Sequence, residues 1–248
     1  MHLRPLIASA IVALLLSVAP AHGVVVVPGG FVNDTLVTGL DSPTSMAFLP
    51  DGRLLVTEQR TGFVRLVVNG HIAAGDPVLA IPDVNATGYE RGLQGVAVDP
   101  GWPARPYVYF SYTRVGGSCR IVRYRASGEL SDPLGESLAL GESLVLMDDI
   151  PDQATVHNVG CPRFGPGEYL YAGVGDDMDT CMSADSTSLL GAILRLDVSR
   201  LPEGPGGQVA RELITPDQNP LSTADSNARL VWAYGFRNPW RFGIDAPT

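Results

Sequence analysis

One unit recurs along this chain: an apolar strand, a Pro/Gly turn, an aromatic or aliphatic strand, a loop, and a further strand carrying Arg. It opens at Ser45-Met46-Ala47-Phe48-Leu49-Pro50-Asp51-Gly52, continues through Arg53–Thr57 and the turn Thr61-Gly62, and ends in Phe63–Val68. A second copy runs Gly95–Pro100, Tyr107–Tyr112 and Cys119–Arg125; a third runs Pro162–Gly167, Tyr169–Val174 and Gly191–Val198. A fourth opens at Arg241–Pro247. The turn prolines Pro50, Pro100, Pro166 and Pro247 lie 50, 66 and 81 residues apart. Spacing near 50 with variable insertions suits propeller blades, each a small antiparallel sheet, whereas a solenoid keeps a tighter period. The 28 Gly and 20 Pro fit many short strands joined by tight turns. The expectation is an all-β, β-propeller chain of about three blades plus the start of a fourth. Blades bury their faces against neighbours, so the sequence is expected to be a partial propeller, truncated at the C-terminus.

The first residues read as a leader. Arg4 supplies a positive charge, Leu6–Val18 is apolar, and Ala19-Pro20-Ala21 offers a small-residue cleavage site. Residues 1–23 are therefore expected to be a signal peptide and 24–248 the partial propeller domain, secreted or periplasmic in a bacterium. The apolar stretch is short for a membrane span and no second one follows. A net charge of −9 argues against nucleic acid as a partner, because phosphate binding needs clustered cations. All 17 basic residues are Arg, which fits a GC-rich genome. In an exported chain Cys119, Cys161 and Cys181 leave one thiol over. Cys161–Cys181 is the preferred disulfide, with Cys119–Cys161 the next choice.

Three stretches have unusual chemistry for loops. His157-Asn158-Val159-Gly160 precedes the third unit, and a histidine is the natural general base near neutral pH. Gly175-Asp176-Asp177 ends the strand that follows it. Two strands of a hairpin bring their outer ends together, so Asp176 is placed to accept a hydrogen bond from the imidazole and fix its tautomer. Asp177, Asp179 and Asp185 also suggest Ca²⁺, but miss the EF-hand spacing. Gly235-Phe236-Arg237-Asn238-Pro239 joins a planar cation to an amide that donates and accepts, a pair suited to an anionic or carbonyl-rich ligand. Alone, each has an ordinary reading as a turn or a solvated loop.

Their succession is more specific. Met46–Gly52, Glu90-Arg91-Gly92-Leu93-Gln94-Gly95, Tyr107-Val108-Tyr109, His157-Asn158-x-Gly160, Phe164-Gly165-Pro166, Gly175-Asp176, Gly191-x-Ile193-Leu194-Arg195-Leu196-Asp197 and Gly235-x-Arg237-Asn238-Pro239 appear in order. Together they resemble the soluble PQQ-dependent glucose/aldose sugar dehydrogenases over nearly the whole mature chain. The resemblance implies a six-bladed propeller using PQQ and Ca²⁺ to oxidise an aldose at the anomeric carbon to the lactone, passing electrons to an external acceptor. It implies His157 as the catalytic base, Asp176 as the acid orienting it, Arg237 as the cation polarising the quinone carbonyl, and Asn238 and Glu90 as cofactor-binding neighbours. Departures accompany it: Cys161 stands where the glucose enzyme has Arg, and Val156 where it has an acid beside the base. The Ca²⁺ ligands are expected beyond Thr248. The alternative is a non-catalytic carbohydrate- or protein-binding propeller, like the cell-surface relatives of this family; a lactonase-type hydrolase would need metal-converging side chains that the sequence lacks.

Overall fold

In this computed structural model, which describes residues 26–221 and 223–245, the repeats fold as three antiparallel sheets. The leader expected at residues 1–23 lies outside the described residues. Residues 26–35 carry no strand, only a turn closed by Phe31 N–H on the Pro28 carbonyl.

The first sheet comprises β1 (Pro43–Phe48), β2 (Leu54–Glu58), β3 (Phe63–Val68) and β4 (His71–Ile72) in that order, with β5 (Leu79–Ala80) also on β3. The second is β6 (Leu93–Val98), β7 (Tyr107–Arg114), β8 (Ser118–Gly128) and β9 (Leu138–Pro151). The third is β10 (Val159–Phe164), β11 (Leu170–Val174), β12 (Ala192–Leu196) and β13 (Val231–Tyr234). Each sheet thus runs outward in sequence order, as a blade does. Turn chemistry sets the reversals: Asn69 and Gly70, with φ of 48° and 80°, form the tight link between β3 and β4.

Period-2 alternation explains how the blades stack. On β7, Val108, Phe110 and Tyr112 enter a core shared with Leu55, Leu66 and Val96. The intervening Tyr109 enters the next core, with Ile121, Leu146, Val159, Leu170 and Leu194. The middle blade is therefore apolar on both faces, and its strands read as nearly continuous apolar runs. At roughly 25 cal/mol per Å² of apolar surface removed from water, this two-sided burial is the main force joining the blades.

Glycines set how closely neighbouring blades approach at their inner ends. A Cβ on Gly95 of β6 would strike Cys161 and Pro162 of β10. A Cβ on Gly160 or Gly173 would strike the backbone of Trp240 or Pro239. The segment 237–240 thus lies on the third blade as β10 lies on the second, with Cys161 N–H donating to the Trp240 carbonyl at 2.9 Å. The fourth unit expected from Arg241 forms no strand among the described residues, and none of residues 235–245 is in a strand.

The expected Cys161–Cys181 disulfide is not formed, and Cys119 is free as well. Cys161 points inward from β10, with its thiol 3.2 Å from the Gln94 carbonyl. Cys181 is exposed on the loop beyond β11. The pairing fails because Cys161 is buried against the second blade, whereas Cys181 is exposed on a loop.

Candidate functional site

The β10–β11 register brings the first two candidate residues together. Val159 pairs with Val174, and His157 and Asp176 stand two residues beyond that pair, just outside the ends of the two strands. Gly175 N–H donates to the Asn158 carbonyl at 2.9 Å, so the pairing continues past the strand ends to these two residues. His157 Nδ1 lies 2.6 Å from Asp176 Oδ1, and the two side chains are 5% and 2% exposed. The same carboxylate oxygen accepts Met178 N–H at 3.0 Å. With Nδ1–H engaged by a carboxylate, Nε2 is left as the basic nitrogen.

The backbone at His157 is unusual, with φ of 60°, a region that non-glycine residues seldom occupy. Three contacts hold it there. His157 N–H donates to Glu90 Oε2 at 2.7 Å, its carbonyl accepts Asp177 N–H at 3.2 Å, and its ring is fixed by Asp176. Gly175 is required beside it, because a Cβ there would strike the His157 carbonyl. Such a conformation persists only where its surroundings over-determine it.

Glu90 links the remaining candidates. Its Oε2 also accepts Asn238 Nδ2 at 3.3 Å, so one carboxylate from the loop before β6 joins the loop before β10 to the segment after β13. Glu90 and Asn238 line a cleft of about 330 Å³ with Thr44, Gln59, Gln94, Asn158, Trp240 and Arg241. Arg237 is attached through its backbone, its carbonyl accepting Asp176 N–H at 2.9 Å. Its guanidinium is exposed and engages none of the other four candidates.

Several contributors escaped the sequence reading. Asp152 and Asn158 are buried and hydrogen-bonded to each other, and Arg91 Nε donates to Asp152 Oδ1 at 2.9 Å. Burial pushes the Asp152 carboxyl above its ordinary value; Arg91 opposes this and Asp177 adds to it. Gln94 takes the Trp240 indole N–H on its Oε1 at 3.2 Å and donates its amide to the Glu90 carbonyl. Arg91, Gln94 and Asn158 lie in the quoted motifs, but nothing in the sequence pointed to Asp152. Asp177 accepts Gln153 and Ala154 N–H, while Asp179 and Asp185 serve their own turns. Among the described residues no group of three or more His, Cys, Asp or Glu converges on a metal-sized point.

The chain is similar to the aldose sugar dehydrogenase YliI of Escherichia coli K12, 27% identical over 211 residues, covering 83% of this chain and 51% of that protein. It is also similar to human Hedgehog-interacting protein, 26% identical over 234 residues, covering 87% of this chain and 32% of that protein. Among solved structures it resembles the PQQ-bound aldose sugar dehydrogenase of Streptomyces coelicolor, with 33% identity and a TM-score of 0.64 over 83% of this chain and 54% of the other. A glucose dehydrogenase-type oxidoreductase of Thermus thermophilus gives 33% identity and a TM-score of 0.64 over 83% and 55%. The chain spans about half the length of the Escherichia coli protein and of a Synechocystis relative that it also matches. The glucose/sorbosone dehydrogenase family matches residues 40–248, and the chain belongs to that family, with the β-propeller fold of its sugar dehydrogenase relatives.

Proposed function

We propose that this chain carries the base-containing part of a PQQ-dependent dehydrogenase that oxidises aldoses at the anomeric carbon to the lactone. The observation that carries the reading is the buried His157–Asp176 pair, tied through Glu90 to Asn238. His157 Nε2 takes the proton of the sugar hydroxyl. Asp176 keeps the proton on Nδ1 and stabilises the imidazolium that forms. Glu90 holds the main chain of the base and the Asn238 amide in one register.

The donor set suits PQQ, a tricarboxylate quinone. Arg237 offers an exposed guanidinium with no side-chain partner among the described residues, next to an amide that both donates and accepts. Arg237 and Asn238 would hold the quinone edge, with Glu90 behind them. PQQ, when bound, supplies a two-electron acceptor that an external acceptor later reoxidises. Calcium would require oxygen ligands other than a carboxylate cluster of the described residues. No helix among the described residues is long and apolar enough to cross a membrane. We assign residues 1–23 to a leader and 24–248 to a secreted or periplasmic propeller domain.

The test is PQQ-dependent dye reduction driven by aldoses. His157→Ala should slow it about 100- to 10,000-fold, and unchanged turnover in that variant would overturn the role of the base. A second reading, a non-catalytic binding propeller, is supported by the similarity to Hedgehog-interacting protein. It predicts a folded protein that takes up no PQQ.

A further inference from the structure

Asp152 and Asn158 bracket the loop that carries His157, and each ends in a buried oxygen without a partner among the described residues. Asn158 Nδ2 donates to Asp152 Oδ1 at 2.8 Å and to the Ala154 carbonyl at 3.0 Å. Arg91 donates to that same Oδ1 and, at 3.1 Å, to the Asp152 carbonyl. Asp152 Oδ2 and Asn158 Oδ1 are then left as acceptors with no donor among the described residues. The two residues are 2% and 5% exposed. Buried acceptors are almost always satisfied, so two orphans on one hydrogen-bonded pair call for a common cause.

A single proton accounts for both. We propose that Asp152 is a carboxylic acid at neutral pH, donating Oδ2–H to Asn158 Oδ1 while Asn158 Nδ2 donates to Asp152 Oδ1. Carboxyl and amide then form a closed two-bond pair that ties the two ends of the His157 loop.

The surroundings agree. Arg91 is the cation facing Asp152, and Asp177 and the Cys119 thiol are its other titratable neighbours. Burial disfavours the carboxylate, and the charge of Asp177 disfavours it further, against Arg91. Burial holds Cys119 as the neutral thiol, so it places no charge beside Asp152. Ionisation would set lone pairs of Asp152 Oδ2 against Asn158 Oδ1 and open the pair. Resting on the dehydrogenase reading, Asp152 is a positioning residue for the base.

Infrared difference spectroscopy between the wild type and Asp152→Asn tests the proton directly. At neutral pH the wild type should show the carbonyl stretch of a protonated carboxylic acid, lost in the variant; absence of that band overturns the proposal. Asp152→Asn also mimics the neutral acid at every pH, since its amide still donates to Asn158 Oδ1. An acid with a raised folded-state pKa stabilises at low pH and loses that contribution as pH rises through the raised value. The wild type should therefore lose stability relative to Asp152→Asn as pH rises, and a difference that grows in favour of the wild type overturns the proposal. If Asp152→Asn does not fold, Asn158→Leu should move the acid band by removing its donor, and an unmoved band overturns the pairing. In the PQQ-loaded protein the alkaline limb of kcat should retreat to higher pH in Asp152→Asn, and an unchanged limb overturns the positioning role. Failure of any sugar to be oxidised overturns the dehydrogenase reading and leaves the infrared result standing.

Discussion

Asp176→Asn separates the orientation of His157 from its presence. The amide keeps an oxygen for Met178 N–H, but removes the charge that the imidazole meets at 2.6 Å in a pair of 5% and 2% exposed side chains. A hydrogen bond to a charged group is worth about 1.5–3 kcal/mol. At about 1.4 kcal/mol per tenfold in rate, kcat should fall roughly 10- to 150-fold if the bond matters equally in the transition state. His157→Ala removes the base and should cost more, about 100- to 10,000-fold. Because Asp176 acts through the histidine, the double variant should be no slower than His157→Ala alone. Steady-state aldose-dependent dye reduction at saturating PQQ measures all three variants. Additive losses in the double variant, or an Asp176→Asn protein of wild-type kcat, would refute the coupling.

Other consequences are independent of activity. Burial alone would raise the Asp148 carboxyl, but the Arg120 and Arg114 guanidinium groups outweigh it and hold it below the usual carboxylate range. That contribution is present above the unfolded-state pKa and lost as pH falls through the depressed one. The stability gap between the wild type and Asp148→Asn should therefore close in acid, and a gap independent of pH would refute it. Gly173→Ala would drive a methyl group into the Pro239 carbonyl, and should cost about 1–3 kcal/mol, seen as a lower urea midpoint and faster cleavage near Arg237. With all three cysteines free, a thiol reagent should titrate three groups after unfolding without reductant and only the exposed Cys181 rapidly before it; a single titratable thiol would restore a disulfide.

The blades were legible because strand grammar is local. The aromatic and aliphatic run Tyr107–Tyr112 and the turn residues around Asp51-Gly52 are short-range signals, and both appear in the sheets. His157 and Asp176 were legible for the same reason, since a hairpin fixes which of its outer residues meet. Glu90 came from the family motif, but its bond to the His157 N–H spans 67 residues and cannot be read from spacing. Asp152 gave no warning either, as nothing in Asp148–Asp152 distinguishes a buried acid from an exposed one. The cysteine pairing failed for a related reason. Proximity along the chain says little about which way a loop turns a thiol, and Cys161 faces the blade before it.

The reach of Glu90 bears on when the site comes into being. Its carboxylate touches residues 67 and 148 positions further along the chain. Closing loops of that length precedes any return from the contacts they make, and non-local pairing is intrinsically slow. During synthesis Glu90 emerges seconds before Asn238, at about 5–20 residues per second. The left-handed turn at His157 therefore lacks one of its three supports until the Glu90 loop has docked on it. A probe of that histidine, such as its ring resonances, would report the completeness of assembly rather than the formation of any one sheet.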